Sequence, residues 1–210
     1  MSNTQYAEFQ FECQRCGNCC SAMEGTTYID LDEIFALSEK LQCSTKALLE
    51  NYIDFGEKLV RINKKEFKFK FFMIRQQKGA CIFLQEHECR IYSARPFQCR
   101  QFPFWYELFN NKRIYREIQK TCQGFGKGRK YNAEEIEQRL TQDNQYRLKL
   151  YKNSDFLDSF GLEKLISDMR NQIEKEGFNI EEEALESLKI ELLLDVLNYY
   201  AQNFLNREIT

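Results

Sequence analysis

Four thiols fall within eight residues at Cys13-Gln14-Arg15-Cys16-Gly17-Asn18-Cys19-Cys20, and this cluster constrains the chain more than any other feature. It precedes every stretch that could serve as a core, so packing gives no reason for it. Soft sulfur ligands bind zinc and iron, and a short loop can aim several of them at one centre. The segment therefore reads as part of a metal site whose remaining ligands lie elsewhere in the chain.

The middle of the chain supplies four candidates: Cys81, Cys89, Cys99 and Cys122. Cys99 stands between Pro96 and Pro103, the two prolines of the chain. Proline fixes φ and lowers the entropy lost on ordering, so this loop is expected to hold its geometry. Cys122 opens a stretch with glycine at alternate positions, Gly124, Gly126 and Gly128. That pattern gives a tightly turned backbone and, without a Gly-Lys-Ser/Thr ending, no phosphate loop.

The eight thiols could build two four-thiolate zinc sites, one iron–sulfur cluster with a second metal, or a single centre with spare thiols. In an extended segment Cys19 and Cys20 would point to opposite faces, so they serve two centres or one of them is structural. The run departs from a bacterial ferredoxin, because the fourth cysteine follows at once and no proline comes after it. It also departs from a zinc ribbon, whose second Cys-x2-Cys knuckle is missing. Cys43, without a motif partner, reads as a small apolar residue between two helices. His87, between Glu86 and Glu88, reads as a solvated loop histidine, and Arg95 and Arg100 as stabilisers of the thiolate site.

With Phe11, the Cys13 to Cys20 run, Asp30 to Ile34, Cys81 to Leu84, Cys89-Arg90-Ile91-Tyr92, Arg95-Pro96, Cys99-Arg100, Phe102-Pro103-Phe104 and the Cys122 glycine loop, the chain resembles the CxxCxxCC cysteine-cluster family of zinc- or iron-chelating proteins. The cysteine domain of flagellin lysine N-methylase is similar to that family. The resemblance spans residues 11 to 128 and implies metal chelation; a methylase role belongs only to some longer relatives. No Rossmann-type glycine fingerprint is present, and residues 132 to 210 resemble no S-adenosylmethionine site.

Charge is unevenly spread. Residues 1 to 57 carry 3 basic and 10 acidic side chains, residues 58 to 131 carry 18 and 5, and residues 132 to 210 carry 9 and 17. A basic middle could attract nucleic acid, but no recognised binding motif accompanies it. Thiolate–metal centres are themselves anionic and favour nearby Lys and Arg. No apolar run reaches the ~20 residues of a membrane span, and no signal peptide is seen, so a cytoplasmic protein is expected. Nine cysteines in a reducing compartment suit metal better than disulfides.

The periodicity predicts an α+β protein with a cysteine-cluster metal domain over residues 1–131 and a helical C-terminal extension over 132–210 packed on it. Asp30 with Glu33 forms a capping box before Ile34, Leu37 and Leu41; Ser44 caps a second helix through Lys46 to Tyr52, closed by Gly56. Alternating aromatic and basic residues predict a hairpin over 59–74 with its lysines on the wet face, and a second hairpin is expected at Phe104 to Ile118, turning at Asn110-Asn111. Helices follow from Asn132 to about Tyr151, from Leu162 to Ile173 with Gly177 after it, and from about Glu181 to Asn206. The apolar arc of the last helix is broad enough to be packed, the alternative being a protein-partner surface.

The function expected is chelation of zinc or iron, an iron–sulfur cluster included, by Cys13, Cys16, Cys19, Cys20, Cys81, Cys89, Cys99 and Cys122. The alternatives are an iron–sulfur-dependent protein-modifying enzyme of lysine N-methylase type and an anion- or RNA-binding module, of which nucleic acid is the less favoured partner.

Overall fold

The computed structural model describes residues 9–21, 25–62, 64–177 and 181–205. The chain begins with strand β1 (Phe9–Phe11), a single helical turn α1 (Asn18–Ser21) and β2 (Tyr28–Ile29), followed by helices α2 (Leu31–Leu41) and α3 (Thr45–Tyr52). Two long strands, β3 (Ile53–Ile62) and β4 (Lys65–Ile74), lead into four two-residue strands: β5 (Gln76–Gln77), β6 (Ala80–Cys81), β7 (Leu84–Gln85) and β8 (Glu88–Cys89). Short helices α4 (Phe97–Gln101) and α5 (Tyr106–Asn110) precede α6 (Lys112–Thr121) and β9 (Arg129–Tyr131). Three helices close the described chain: α7 (Ala133–Ser159), α8 (Leu162–Lys175) and α9 (Glu182–Tyr200), the last running on into a π-helical turn over Ala201–Leu205. The class is α+β, as expected.

The start signals act as the sequence predicts. The Asp30 carboxylate accepts from the Glu33 N–H while the Glu33 carboxylate accepts from the Asp30 N–H, at 2.9 and 3.1 Å. Asn132 and Glu135 make the same reciprocal pair before α7. Ser44 accepts from the Ala47 N–H, and α3 ends at Tyr52, so Gly56 lies in β3 rather than closing the helix.

The second hairpin is not formed. Residues 106–121 are the helices α5 and α6, and Asn111, read as a turn residue, is the N-cap of α6, its side-chain oxygen accepting from the Arg113 and Ile114 N–H groups. An asparagine suits both roles, and the cap prevails because Ile114 and Ile118, one helical turn apart, are then both half-buried.

Two compact units make up the chain. One takes the described residues up to Ile29 together with Ile74–Lys149; the other takes Asp30–Met73 and the described residues from Leu150 onward. In the first unit β1 pairs antiparallel with β9, Phe9 opposite Tyr131 and Phe11 opposite Arg129. Phe9 and Phe11 pack with Phe104, Ile136 and Leu140 as an aromatic-rich core, and Phe102, Phe109, Tyr115, Phe125 and Tyr131 close around it. The first part of α7 supplies Ile136, Leu140, Asp143 and Tyr146 to this unit, all buried. Asp143 is buried because it has work: its carboxylate accepts from the Tyr106 N–H and from Arg147.

In the second unit β3 and β4 form the expected hairpin. Its faces differ from the predicted alternation: Phe67 is 42 % exposed, whereas Lys70 is 7 % exposed. Lys70 is satisfied there by Asp158, 2.7 Å from its Nζ, and its N–H donates to the Ser154 hydroxyl of α7. A buried ammonium with its own carboxylate escapes the penalty that sets the usual lysine-out rule. The last helix packs, as expected, on α3 and α8, burying Leu185, Leu193, Val196 and Leu197.

Candidate metal centre

A cavity of about 400 Å³ in the first unit is lined by all eight cysteines of the two sequence clusters: Cys13, Cys16, Cys19, Cys20, Cys81, Cys89, Cys99 and Cys122. Cys43 belongs to the second unit and is not on it. The structure thus brings together thiols as much as 109 residues apart, the separation from Cys13 to Cys122.

Each thiol is placed by a local device. Gly17 has φ +74°, and a Cβ at that position would stand 2.8 Å from the His87 carbonyl oxygen, so only glycine lets the first cluster lie against the turn between β7 and β8. The turn α1 that follows carries both Cys19 and Cys20 and is tied to the far end of α6 by Asn18, whose side-chain amide donates to the Thr121 carbonyl at 2.7 Å. That bond ends one residue before Cys122. Gly124 then makes room for the segment after β1: the Glu12 N–H donates to its carbonyl, and an added Cβ would meet the Glu12 oxygen at 2.5 Å.

Two short hairpins present the next pair. In β5–β6 Cys81 stands opposite Gln76, and in β7–β8 Cys89 stands opposite Leu84. Cys99 rides on α4, bracketed by Pro96 and Pro103 as the sequence suggests. The preceding residue fixes that helix: the Gln98 side chain accepts from the Tyr28 N–H and donates to the Thr26 carbonyl, while Trp105 donates its indole N–H to the Gln98 carbonyl. The Thr27 hydroxyl lies 3.9 Å from the Cys99 sulfur.

Cys19 and Cys20 do not point to opposite faces. Their segment is a helical turn rather than an extended strand, and their sulfurs are 3.8 Å apart, both on the cavity. With metal–sulfur bonds of about 2.3 Å, two ligands of one tetrahedral ion stand roughly 3.8 Å apart, so this pair has the spacing that a shared metal asks for. Among the described residues no three His, Cys, Asp or Glu side chains are already drawn around one point.

The thiols of the cavity differ in how readily they ionise. Hydrogen bonding from Cys20 lowers the Cys19 thiol to about 7, with the Arg95 charge acting the same way, and lowers Cys81 to about 7 as well. Cys20 is pushed up by its hydrogen bonding with Cys19 and Cys81. Burial raises Cys89 and Cys122 and pushes Cys99 up to about 12. Thiols so buried stay neutral until a positive ion replaces the proton. Arg95 also lies over the Tyr92 ring at 3.7 Å, and Arg15, held at φ +53°, lies over the same ring at 4.2 Å.

His87 is exposed in the β7–β8 turn and does not line the cavity, in keeping with a solvated loop histidine. Arg95 and Arg100 line it. Sequence reasoning missed Arg15, Tyr92, Trp105 and Arg139 as parts of the lining. The pairing of Arg139 with this cavity had no local signal, since it sits in α7 beyond the cysteine region.

A family model described as "Putative zinc- or iron-chelating domain" matches residues 12–123, more than half of the chain. The protein belongs to this CxxCxxCC family. No solved structure matches the chain. No described helix is long and apolar enough to cross a membrane.

Cys43→Ala is expected to leave metal content unchanged, because its thiol lies outside the cavity; elemental analysis of the purified variant checks this.

Proposed function

We propose that Cys13, Cys16, Cys19, Cys20, Cys81, Cys89, Cys99 and Cys122 together hold zinc or iron, and that this chelation is what the first unit is built to do. The observation that carries the reading is the segregation of the nine thiols: eight on one cavity, and the ninth in another unit. An all-sulfur donor set is what zinc, iron and iron–sulfur clusters share.

The chain's own groups prepare the site. Hydrogen bonding with Cys20 lowers the Cys19 and Cys81 thiols, and the Arg95 charge favours the thiolate at Cys19. A coordinated cation keeps its ligand thiols as thiolates, so its arrival would release the protons of the buried thiols. Gly17, Gly124 and Asn18 hold the two halves of the donor set within reach, so binding energy would also stabilise the fold of the first unit.

The absorption spectrum and metal content of protein purified without oxygen test this reading. A broad visible band with iron identifies an iron–sulfur centre, and a colourless sample with stoichiometric zinc identifies a zinc centre. A well-folded chain that holds neither metal overturns it.

A further inference from the structure

The thiols account for only part of the cavity. A structural zinc site is closed around its ion, whereas about 400 Å³ is a volume typical of sites for small organic molecules. Much of the remaining lining is aromatic: Phe102, Phe104, Trp105 and Tyr131 all face it. Their rings are fixed by one another, Phe102 edge-on to Trp105 at 5.1 Å and Phe104 edge-on to Tyr131 at 4.7 Å. The indole N–H of Trp105 is already spent on the Gln98 carbonyl, which leaves the ring available as an apolar surface.

This lining is strongly basic. Arg15, Arg95, Arg100, Arg129 and Arg139 border the cavity, and among the described lining residues Glu12 is the one carboxylate. The thiol centre explains Arg95, whose charge reaches Cys19 and Cys89. Arg129 has Glu135 as its partner. Arg139 has a different setting: its guanidinium lies over the Phe104 ring at 4.7 Å and the Tyr131 ring at 5.3 Å, and no carboxylate among the described residues pairs with it. Ring stacking holds the group in place and takes part of its surface from water while leaving its charge unanswered. A half-buried guanidinium over aromatic rings at the edge of a cavity is what receives an oxyanion carried on a flat apolar body.

We propose that Arg139 and the half-buried rings of Phe102, Trp105 and Tyr131, with the buried Phe104 ring supporting Arg139 from behind, form a binding site for an organic anion, a carboxylate or phosphate on a flat apolar group, beside the thiol centre. Its place beside a metal rests on the chelation reading above, while its affinity would come from the arginine and the rings. The thiol centre then becomes one wall of a ligand site in addition to a staple of the fold.

Isothermal titration of the full-length, metal-analysed protein with 1-naphthoate, 1-naphthyl phosphate and the neutral 1-naphthalenemethanol tests the site. At least one anion is expected to bind about tenfold tighter than the alcohol, the range of one charge-assisted hydrogen-bond pair, and to weaken with added salt while the alcohol does not. Which anion prevails tells carboxylate from phosphate. Arg139→Gln is expected to abolish the preference with metal content unchanged, and Arg139→Lys to keep part of it. Equal binding of anions and alcohol by the wild-type protein, or an undiminished preference in a folded Arg139→Gln variant, overturns the site. The salt titration needs no variant, so a variant that fails to fold leaves the test intact. A folded chain without metal that still prefers the anion supports the site and overturns the chelation reading; a metal-loaded chain without preference overturns the site alone.

Discussion

Gly17→Ala is expected to lower the metal content of the purified protein to less than half of the wild-type value and to destabilise the first unit by about 2 kcal/mol or more. Two effects add. Alanine at φ +74° adopts the left-handed conformation at a cost of roughly 1–2 kcal/mol, and its Cβ would stand 2.8 Å from the His87 carbonyl oxygen and 3.0 Å from the Leu84 Cδ1. The nearest obstacle is backbone, so it cannot swing aside as a side-chain tip would. The first cluster must then retreat from the β7–β8 turn, and Cys19 and Cys20 retreat with it from Cys81 and Cys89. Elemental analysis and a urea titration of the same samples read both consequences. Full metal content in the variant would mean that the close approach of these segments is not needed for chelation.

Phe104→Ala is expected to cost about 3–5 kcal/mol, the range for deleting a buried phenyl ring. Phe104 is 2 % exposed and meets Phe9, Phe109 and Tyr131 edge-on or stacked, with Arg139 above it. The loss combines buried apolar surface with a hole in the core that β1, β9 and α7 share. Phe67→Ala supplies the contrast: at 42 % exposed on the β3–β4 hairpin, this ring is expected to matter by about 0.5 kcal/mol or less. Denaturant midpoints of the two variants give the comparison directly, and similar values would contradict the assigned core.

The parts of the fold that were legible in the sequence are those whose causes are local. Asp30 with Glu33, and Asn132 with Glu135, are three residues apart, and each pair makes its capping box without help from the rest of the chain. The β3–β4 hairpin follows from its two-residue periodicity. The set of eight thiols was legible because cysteine at such density has few structural explanations.

What was not legible depends on distant partners. Asn111 serves a turn or a cap equally well in isolation, and the partial burial of Ile114 and Ile118 on one side of α6 favours the cap. The predicted end of α7 near Tyr151 falls short by two turns because its buried stripe includes Asp143 and Ser154, polar residues that no hydrophobic pattern counts. Each is buried with a backbone N–H as partner, Tyr106 for one and Lys70 for the other. The same cause hides Lys70 in the hairpin. Nor does any local pattern announce that Asp30–Met73 shares a compact unit with the residues after Lys149. At the candidate site, the extended reading of Cys19 and Cys20 fails because Gly17, at positive φ, starts a helical turn, its carbonyl accepting from the Cys20 N–H at 2.9 Å.

Counting reactive thiols with and without metal shows whether the eight cavity cysteines are metal ligands. Protein purified without oxygen is alkylated under native conditions, before and after removal of metal by a chelator, and the modified cysteines are located by mass spectrometry. With metal in place Cys43 alone is expected to be modified, and removal of the metal is expected to expose Cys13, Cys16, Cys19, Cys20, Cys81, Cys89, Cys99 and Cys122 together. Free reaction of these eight thiols in the folded protein as isolated, with no change when chelator is added, would contradict that expectation.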